Sequence, residues 1–355
     1  MPAPRGTTPQ LFAACRRVVV AGLALAAVSV SGVTYRPALP GEPEAAPSKP
    51  QGATYQVKVA AVSPPRLAVT AFVAIDGSAL EMDTTRPGNI AELDAKGWPA
   101  LVSNLRVFDM AGRPLETRSA TEHGWQLAQP FKGRIRVTYD VDYSALSAKG
   151  WPAPREAAFA DPENIVFAGR SAFITTPLVS QSIVQLVLPG GWRPVTPWIP
   201  QPGTIQTFIA RSRTDLVDNL VVVTRNAPEV ISASGFLVLA VPMGPWIAAR
   251  DEVRRVVEGA IPQLVKLIGF DGRENYLVVL LPTVEQGGES YRQSFALTVD
   301  QAPSAANSPA WGNTLAHEIF HYWNGWRLRG ADYASTQWFQ EGCTEYAANV
   351  SMVAA

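Results

Sequence analysis

The chain has 355 residues, 47% of them hydrophobic and 17% charged, with 30 basic and 30 acidic side chains and a net charge of zero. That composition excludes a disordered chain and leaves room for two domains with a sizeable core. With neither basic excess nor basic stripe, no nucleic-acid partner is expected.

Residues 1–33 carry Arg5, Arg16 and Arg17 ahead of an uncharged, mostly apolar run from Val18 to Val33. This is either a cleaved export signal, with a site near Ser29-Val30-Ser31, or an uncleaved anchor, since about 20 apolar residues span a bilayer. Both alternatives place the rest of the chain outside the cytoplasm, in the periplasm or tethered to the membrane facing it. Residues 34–51 hold Pro37, Pro40, Pro43, Pro47 and Pro50 and read as a linker. Of the two cysteines, Cys15 belongs to the export segment, so Cys343 stands alone as a small buried apolar residue with no disulfide partner.

Residues 52–231 show the signals of an antiparallel β-sandwich. Arg134 to Tyr143 alternates strictly, with Ile135, Val137, Tyr139, Val141 and Tyr143 on one face. Shorter runs at 55–60, 67–75, 183–188 and 220–224 are separated by Pro/Gly turns such as Pro189-Gly190-Gly191. Ala-Lys-Gly-Trp-Pro-Ala occurs at 95–100 and again at 148–153, without matching flanks, and is read as recurrent turn chemistry.

The pattern changes from residue 232 onward. A strand at 236–241 precedes a helix over 251–268, whose apolar stripe includes Val253, Val256, Val257, Ala260, Ile261 and Leu264; Pro262 is expected to kink it. Strands follow at 276–281 and 294–299. Residues 232–355 therefore read as an α+β domain.

The chemistry is concentrated between Thr314 and Tyr346. His317 and His321 are four residues apart, so a helix presents both imidazoles to one point. Asn313 or Thr314 is expected to cap that helix and Asn324-Gly325 to end it. Glu318 lies about 100° further round, too far to join the histidines as a ligand and well placed to take a proton from a water on the metal. Glu341 follows on a second helix, capped by Ser335 or Thr336 and packed by Trp338, Phe339 and Tyr346. Two neutral imidazoles and one carboxylate suit a single Zn²⁺ ion with a fourth position open to water. His317, His321 and Glu341 are thus the candidate ligands and Glu318 the candidate general base of a peptidase. Glu345 is either a hydrogen-bond partner for the outer nitrogen of a ligand histidine or an exposed glutamate.

These residues resemble the glycyl aminopeptidase family of zinc metallopeptidases. The run HEIFHYWNGWRLRG is similar to that family's metal helix and following loop, and Trp338-Phe339, Glu341-Gly342, Thr344 and Tyr346 to its third-ligand segment. The resemblance implies a thermolysin-like zincin catalytic domain behind an N-terminal β domain, a peptide as substrate, and aminopeptidase activity. It also implies that Gly287, Gly288 and Glu289 form an edge strand of the cleft, where a glutamate binds the substrate's free amine. Against the family pattern Glu289 falls one place early and Ser290 stands where the glutamate belongs. A one-residue slip turns a strand side chain to the other face.

Only fourteen residues follow Glu341. The family continues with a helical region forming the other cleft wall, and many members add a PDZ domain. The catalytic domain is therefore expected to be truncated on its C-terminal side. A non-catalytic zinc-containing module that binds peptide or cell envelope, and an endopeptidase, are the competing readings.

Overall fold

The computed structural model describes residues 52–84, 96–118, 121–144, 158–282, 287–299, 301–328 and 333–354. The expected export segment and linker, Cys15 and the second Ala-Lys-Gly-Trp-Pro-Ala copy lie outside the described residues. Among the described residues no helix is long and apolar enough to cross a membrane.

Strands are numbered in chain order: β1 (Ala53–Val62), β2 (Pro65–Glu81), β3 (Val102–Asp109), β4 (Pro114–Leu115), β5 (Gly124–Asp142), β6 (Ala158–Ala160), β7 (Asn164–Ala168), β8 (Ser182–Val187), β9 (Arg193–Val195), β10 (Ile199–Pro200), β11 (Thr207–Ala210) and β12 (Leu220–Thr224). The rest are β13 (Glu229–Ala233), β14 (Phe236–Pro242), β15 (Glu274–Leu280), β16 (Gly287–Ser290) and β17 (Ser294–Thr298). Three long helices are α1 (Arg250–Ile268), α2 (Ser308–Phe320) and α3 (Tyr333–Ala354).

The strands form three sheets. An eight-stranded sheet has the order β10-β11-β8-β1-β2-β5-β3-β4, a four-stranded sheet β6-β7-β12-β9, and a five-stranded sheet β13-β14-β15-β17-β16. In β5 and the residue after it the alternation works as the sequence suggests: Ile135, Val137, Tyr139, Val141 and Tyr143 are all buried in the core shared with the second sheet. The eight-stranded sheet is not wholly antiparallel, because β1 and β8 pair in parallel. Tyrosine hydroxyls brought into this core find partners. Tyr139 donates to the carbonyl of Ala172 at 2.9 Å and Tyr55 to that of Ile174 at 2.9 Å, tying the large sheet to the segment after β7.

The four-stranded sheet is buried on both sides, which a two-layer sandwich does not provide. Ile165, Phe167, Val221 and Val223 enter the core shared with the large sheet. Their neighbours Val166, Ala168, Leu220 and Val222 enter a second core with Leu277, Val279 and Ala296 of the five-stranded sheet. Strands covered on both faces carry unbroken apolar runs, and Asn164–Ala168 and Leu220–Thr224 are buried throughout. Each Val, Leu, Ile or Phe among them contributes roughly 1.5–3 kcal/mol of burial energy.

The five-stranded sheet carries the helices on its other face. Val238, Tyr276, Val278, Phe295 and Leu297 pack on α1 and α2. The boundary drawn between 231 and 232 falls inside β13, so this unit takes in Glu229. Helix α1 continues through Pro262 and closes on Gly269 in the left-handed conformation, φ 78°. The three helices meet at Ala260, Ala316 and Ala348, where small side chains allow close approach. A Cβ on Gly312 of α2 would lie 2.8 Å from Met352 of α3.

Candidate metal centre

The metal helix starts earlier than its sequence suggests. Helix α2 begins at Ser308, more than a turn before the expected caps at Asn313 or Thr314, with Pro309 in its first turn. Packing decides this: Trp311 is buried edge-on against Trp246, with ring centroids 5.3 Å apart. Asn313 is therefore inside the helix and free to use its amide elsewhere. The α-helix ends at Phe320, and His321 keeps helical angles at the C-cap, φ −59° and ψ −20°. The i, i+4 alignment of the two imidazoles survives. Gly325, at φ 146°, turns the chain back beside His321 where a Cβ would lie 3.2 Å from the His321 carbonyl oxygen.

Helix α3 begins at Tyr333, upstream of the expected caps Ser335 and Thr336. Its buried side consists of Gln340, Cys343, Thr344, Ala347, Ala348 and Ser351, a helical stripe of mostly small residues laid on α1 and α2. Trp338 does not pack this helix as anticipated. It is 68% exposed, because the contact face turns to the small residues instead.

That packing brings Glu341 to the histidines. Nε2 of His317 and Nε2 of His321 are 3.1 Å apart; Oε2 of Glu341 lies 3.3 Å from the first and 3.6 Å from the second. An ion with tetrahedral ligands about 2.0–2.2 Å away needs ligand atoms roughly 3.3–3.6 Å apart. The two edges to Glu341 fall in that range and the edge between the histidines lies just below it, so a slight opening of the two rings fits the triangle to such an ion.

The outer nitrogens strengthen this fit. Nδ1 of His317 donates to Oε2 of Glu345 at 3.1 Å, and Nδ1 of His321 to the carbonyl of Asn324 at 3.0 Å. With Nδ1 protonated on both neutral rings, each Nε2 presents a lone pair to the other and to a carboxylate oxygen. Three electron-rich atoms converging in this way call for a cation between them. Burial works against charge on His321. The Glu341 carboxylate, the Asn324 carbonyl and nearby Glu318 outweigh it and hold the His321 pKa above the ordinary histidine value. Burial likewise raises the Glu345 pKa, but hydrogen bonds from Asn349, Asn313 and His317 hold it below the usual carboxylate value. The amide of Asn313 lies 3.1 Å and that of Asn349 2.8 Å from Oε1 of Glu345.

Glu318 sits on a different side of α2, 8% exposed, against edge strand β16. A Cβ on Gly288 would come within 2.4 Å of its Oε1 and 2.6 Å of its Cδ, so a side chain at 288 would displace this carboxylate from where it lies. Strand β16 pairs antiparallel with β17, setting Gly288 opposite Leu297, Glu289 opposite Ala296 and Ser290 opposite Phe295. Leu297 and Phe295 face the helices, while Ala296 faces the four-stranded sheet. Gly288 and Ser290 thus share the face of Glu318, and Glu289 points the other way.

There Oε1 of Glu289 is 3.6 Å from Nη1 of Arg170. Arg170 is itself buried, donates from Nε to Asp218 at 2.7 Å and lies over the Tyr291 ring at 4.7 Å. Burial disfavours its charge, yet Asp218, Tyr291, Glu289 and Asp83 raise its pKa and keep it a cation. The structure therefore brings together His317, His321, Glu341 and Glu345, sets Gly288 against Glu318, and separates Glu289 from that group by the thickness of a strand.

Sequence reasoning gave Asn313 and Asn324 only roles at the helix ends and did not name Asn349, yet all three serve the site. Asn313 is half-buried and Asn349 exposed, and neither carries a signal for its bond to Glu345. Asn324 had one, being a polar residue inside the aromatic run Tyr322-Trp323-Asn324-Gly325-Trp326, of which Tyr322, Trp323 and Asn324 are all buried.

Residues 54–223, which span β1 to β12, match the Peptidase M61 N-terminal domain. No curated protein matches the chain. Among solved structures, an aminopeptidase N family protein from Idiomarina loihiensis is similar at 18% identity and a TM-score of 0.65, over 84% of this chain and 54% of that one. This chain thus spans about half the length of that protein. An M1 zinc metallopeptidase from Deinococcus radiodurans is similar at 16% identity and a TM-score of 0.49, over 84% of this chain and 68% of that one. By sequence, then, just under half of the chain is matched to a peptidase-family N-terminal domain, and the other half carries His317, His321 and Glu341.

Proposed function

We propose that this chain is a zinc metallopeptidase whose ion is held by His317, His321 and Glu341. The observation that carries the reading is the triangle of two Nε2 lone pairs and one carboxylate oxygen with edges of 3.1, 3.3 and 3.6 Å. Bound there, zinc supplies a Lewis acid that acidifies water toward neutral pH and polarises a peptide carbonyl.

The chain's own residues do the rest. Glu318, fixed against Gly288, takes a proton at its carboxylate and returns it to the leaving amine nitrogen. Glu345 and the Asn324 carbonyl hold the imidazoles in the tautomer that leaves Nε2 free. The backbone of β16, an edge strand beside Glu318, offers hydrogen-bond groups to an extended peptide. The family resemblance in the sequence supports an exported aminopeptidase of the glycyl type as the finer reading. A second reading, an endopeptidase, is favoured by the orientation of Glu289, whose carboxylate meets Arg170 rather than the Glu318 face.

The test is hydrolysis of a small peptide panel, free and N-acetylated, by the zinc-loaded chain, with Glu318→Gln alongside. The reading predicts cleavage by the wild type and a loss of about 10²–10⁴-fold in Glu318→Gln with zinc retained. Cleavage of free peptides alone assigns an aminopeptidase, and cleavage of both kinds an endopeptidase. Full activity in Glu318→Gln would refute the assigned base.

A further inference from the structure

The loop leaving α2 contains a residue that touches both halves of the cradle. Asn324 is 2% exposed. Its main-chain carbonyl accepts from Nδ1 of His321 at 3.0 Å. Its side-chain nitrogen lies 3.2 Å from the carbonyl of Phe339, 2.9 Å from that of Gln340 and 3.1 Å from Oγ1 of Thr344. Three acceptors around one nitrogen fix the amide's orientation, because the opposite flip would set its oxygen against two carbonyls. Gln340 immediately precedes Glu341. One residue therefore grips a histidine with its backbone and the helix of the third ligand with its side chain.

Helix packing alone does not supply this constraint. Helices α2 and α3 meet through alanine, glycine and other small groups, a contact that resists separation better than rotation, and the bonds described across it run from Asn313 and His317 to the half-exposed Glu345. Rotating α3 about its axis by one residue's worth, about 100°, would carry Glu341 off the histidines altogether. The directional bonds from Asn324 oppose that rotation one residue from the ligand.

We propose that Asn324 is a positioning residue that sets the rotation of α3, and with it the reach of Glu341 to the metal held by His317 and His321. The inference rests on the zinc reading above. Its test compares full-length Asn324→Ala and Asn324→Asp with wild type by competition for Zn²⁺ against a chromophoric chelator, each also in a Glu341→Ala background. Aspartate keeps the size of the side chain and the main-chain carbonyl, but turns an oxygen toward the carbonyls of Phe339 and Gln340.

Zinc affinity is expected to fall about 10–100-fold in both variants. In the Glu341→Ala background, with no third ligand left to place, the same changes are expected to matter by less than about twofold. Equal losses in both backgrounds would show general structural support and overturn the proposal, as would unchanged affinity in the parent background. If the Asn324 variants fail to fold, Thr344→Val removes one acceptor at nearly constant shape and carries the same comparison, with a loss of about fivefold. A wild-type chain that takes up no zinc overturns the zinc reading and this inference together. A wild type that binds zinc beside variants that bind it equally overturns the clamp alone.

Discussion

The cradle on α2 and α3 and the strand β16 are the two sides of one candidate site, and they are built to different tolerances. On the helices, His317, His321 and Glu341 all reach each other and Glu345 reaches His317, and a start displaced by more than a turn at Ser308 changed nothing at the histidines. On the strand, one residue decides everything: Gly288 faces Glu318, and Glu289 faces Arg170. Helical periodicity carries side-chain direction from i to i+4 wherever the helix begins. Strand periodicity reverses it at every step.

The sharpest way to probe that contrast is Gly288→Ala. Its Cβ would lie 2.4 Å from Oε1 of Glu318, so that carboxylate must move while His317, His321 and Glu341 need not. Displacing a catalytic group by about 1 Å costs on the order of 10²-fold in rate. We expect kcat for a susceptible peptide to fall by that factor with zinc content unchanged; loss of zinc instead would place Gly288 in the cradle's support.

Glu345→Ala probes the other side. Removing the acceptor of the His317 Nδ1 proton should weaken zinc binding about 10–100-fold. An unchanged affinity would mean that this carboxylate, 53% exposed, is a surface residue after all.

Glu289→Gln asks whether the strand side contributes to amine recognition. A charged hydrogen bond to the substrate amine is worth about 1.5–3 kcal/mol, so an anchor would cost about 10–100-fold in kcat/KM for free peptides. With Glu289 turned to Arg170, we expect about twofold or less. A larger loss confined to free peptides would restore the anchor.

The least effect is expected behind the cradle. Glu252 on α1 is held at a pKa of about 2 by hydrogen bonds from Arg255 and from Ser308, the first residue of α2. A depressed carboxylate stabilises the fold above its ordinary pKa, and that contribution fades as pH falls from about 4.5 toward about 2. Melting of Glu252→Gln should lie about 1–2 °C below wild type at pH 7 and converge with it over that window. A gap that widens on acidification would contradict the assignment.

What was legible in the sequence follows the same division. His317, Glu318 and His321 announce themselves by spacing, and the strict alternation of Ile135 to Tyr143 gives both the strand and its buried face. The run Asn164–Ala168 was passed over, since a strand covered on both sides does not alternate, whereas Leu220–Thr224, equally covered, showed as a short apolar run. Nor could the third layer be seen, since the sequence of the four-stranded sheet says that it is buried but not by what. The exposure of Trp338 was unreadable for a related reason. Aromatic size suggested packing, whereas the helix contact uses Cys343, Ala347 and Ala348 to come close. Asn324 makes its contacts to Phe339 and Gln340 across fifteen and sixteen positions of chain, beyond the reach of any local pattern.

The central claim is that three side chains on two helices hold one zinc ion. The most direct measurement is the zinc content and affinity of the full chain and of Glu341→Ala, side by side. The account predicts one ion per wild-type chain and a loss in the variant greater than the roughly 100-fold expected for removing an outer partner. A wild type that holds no zinc, or a variant that holds it equally well, would contradict it.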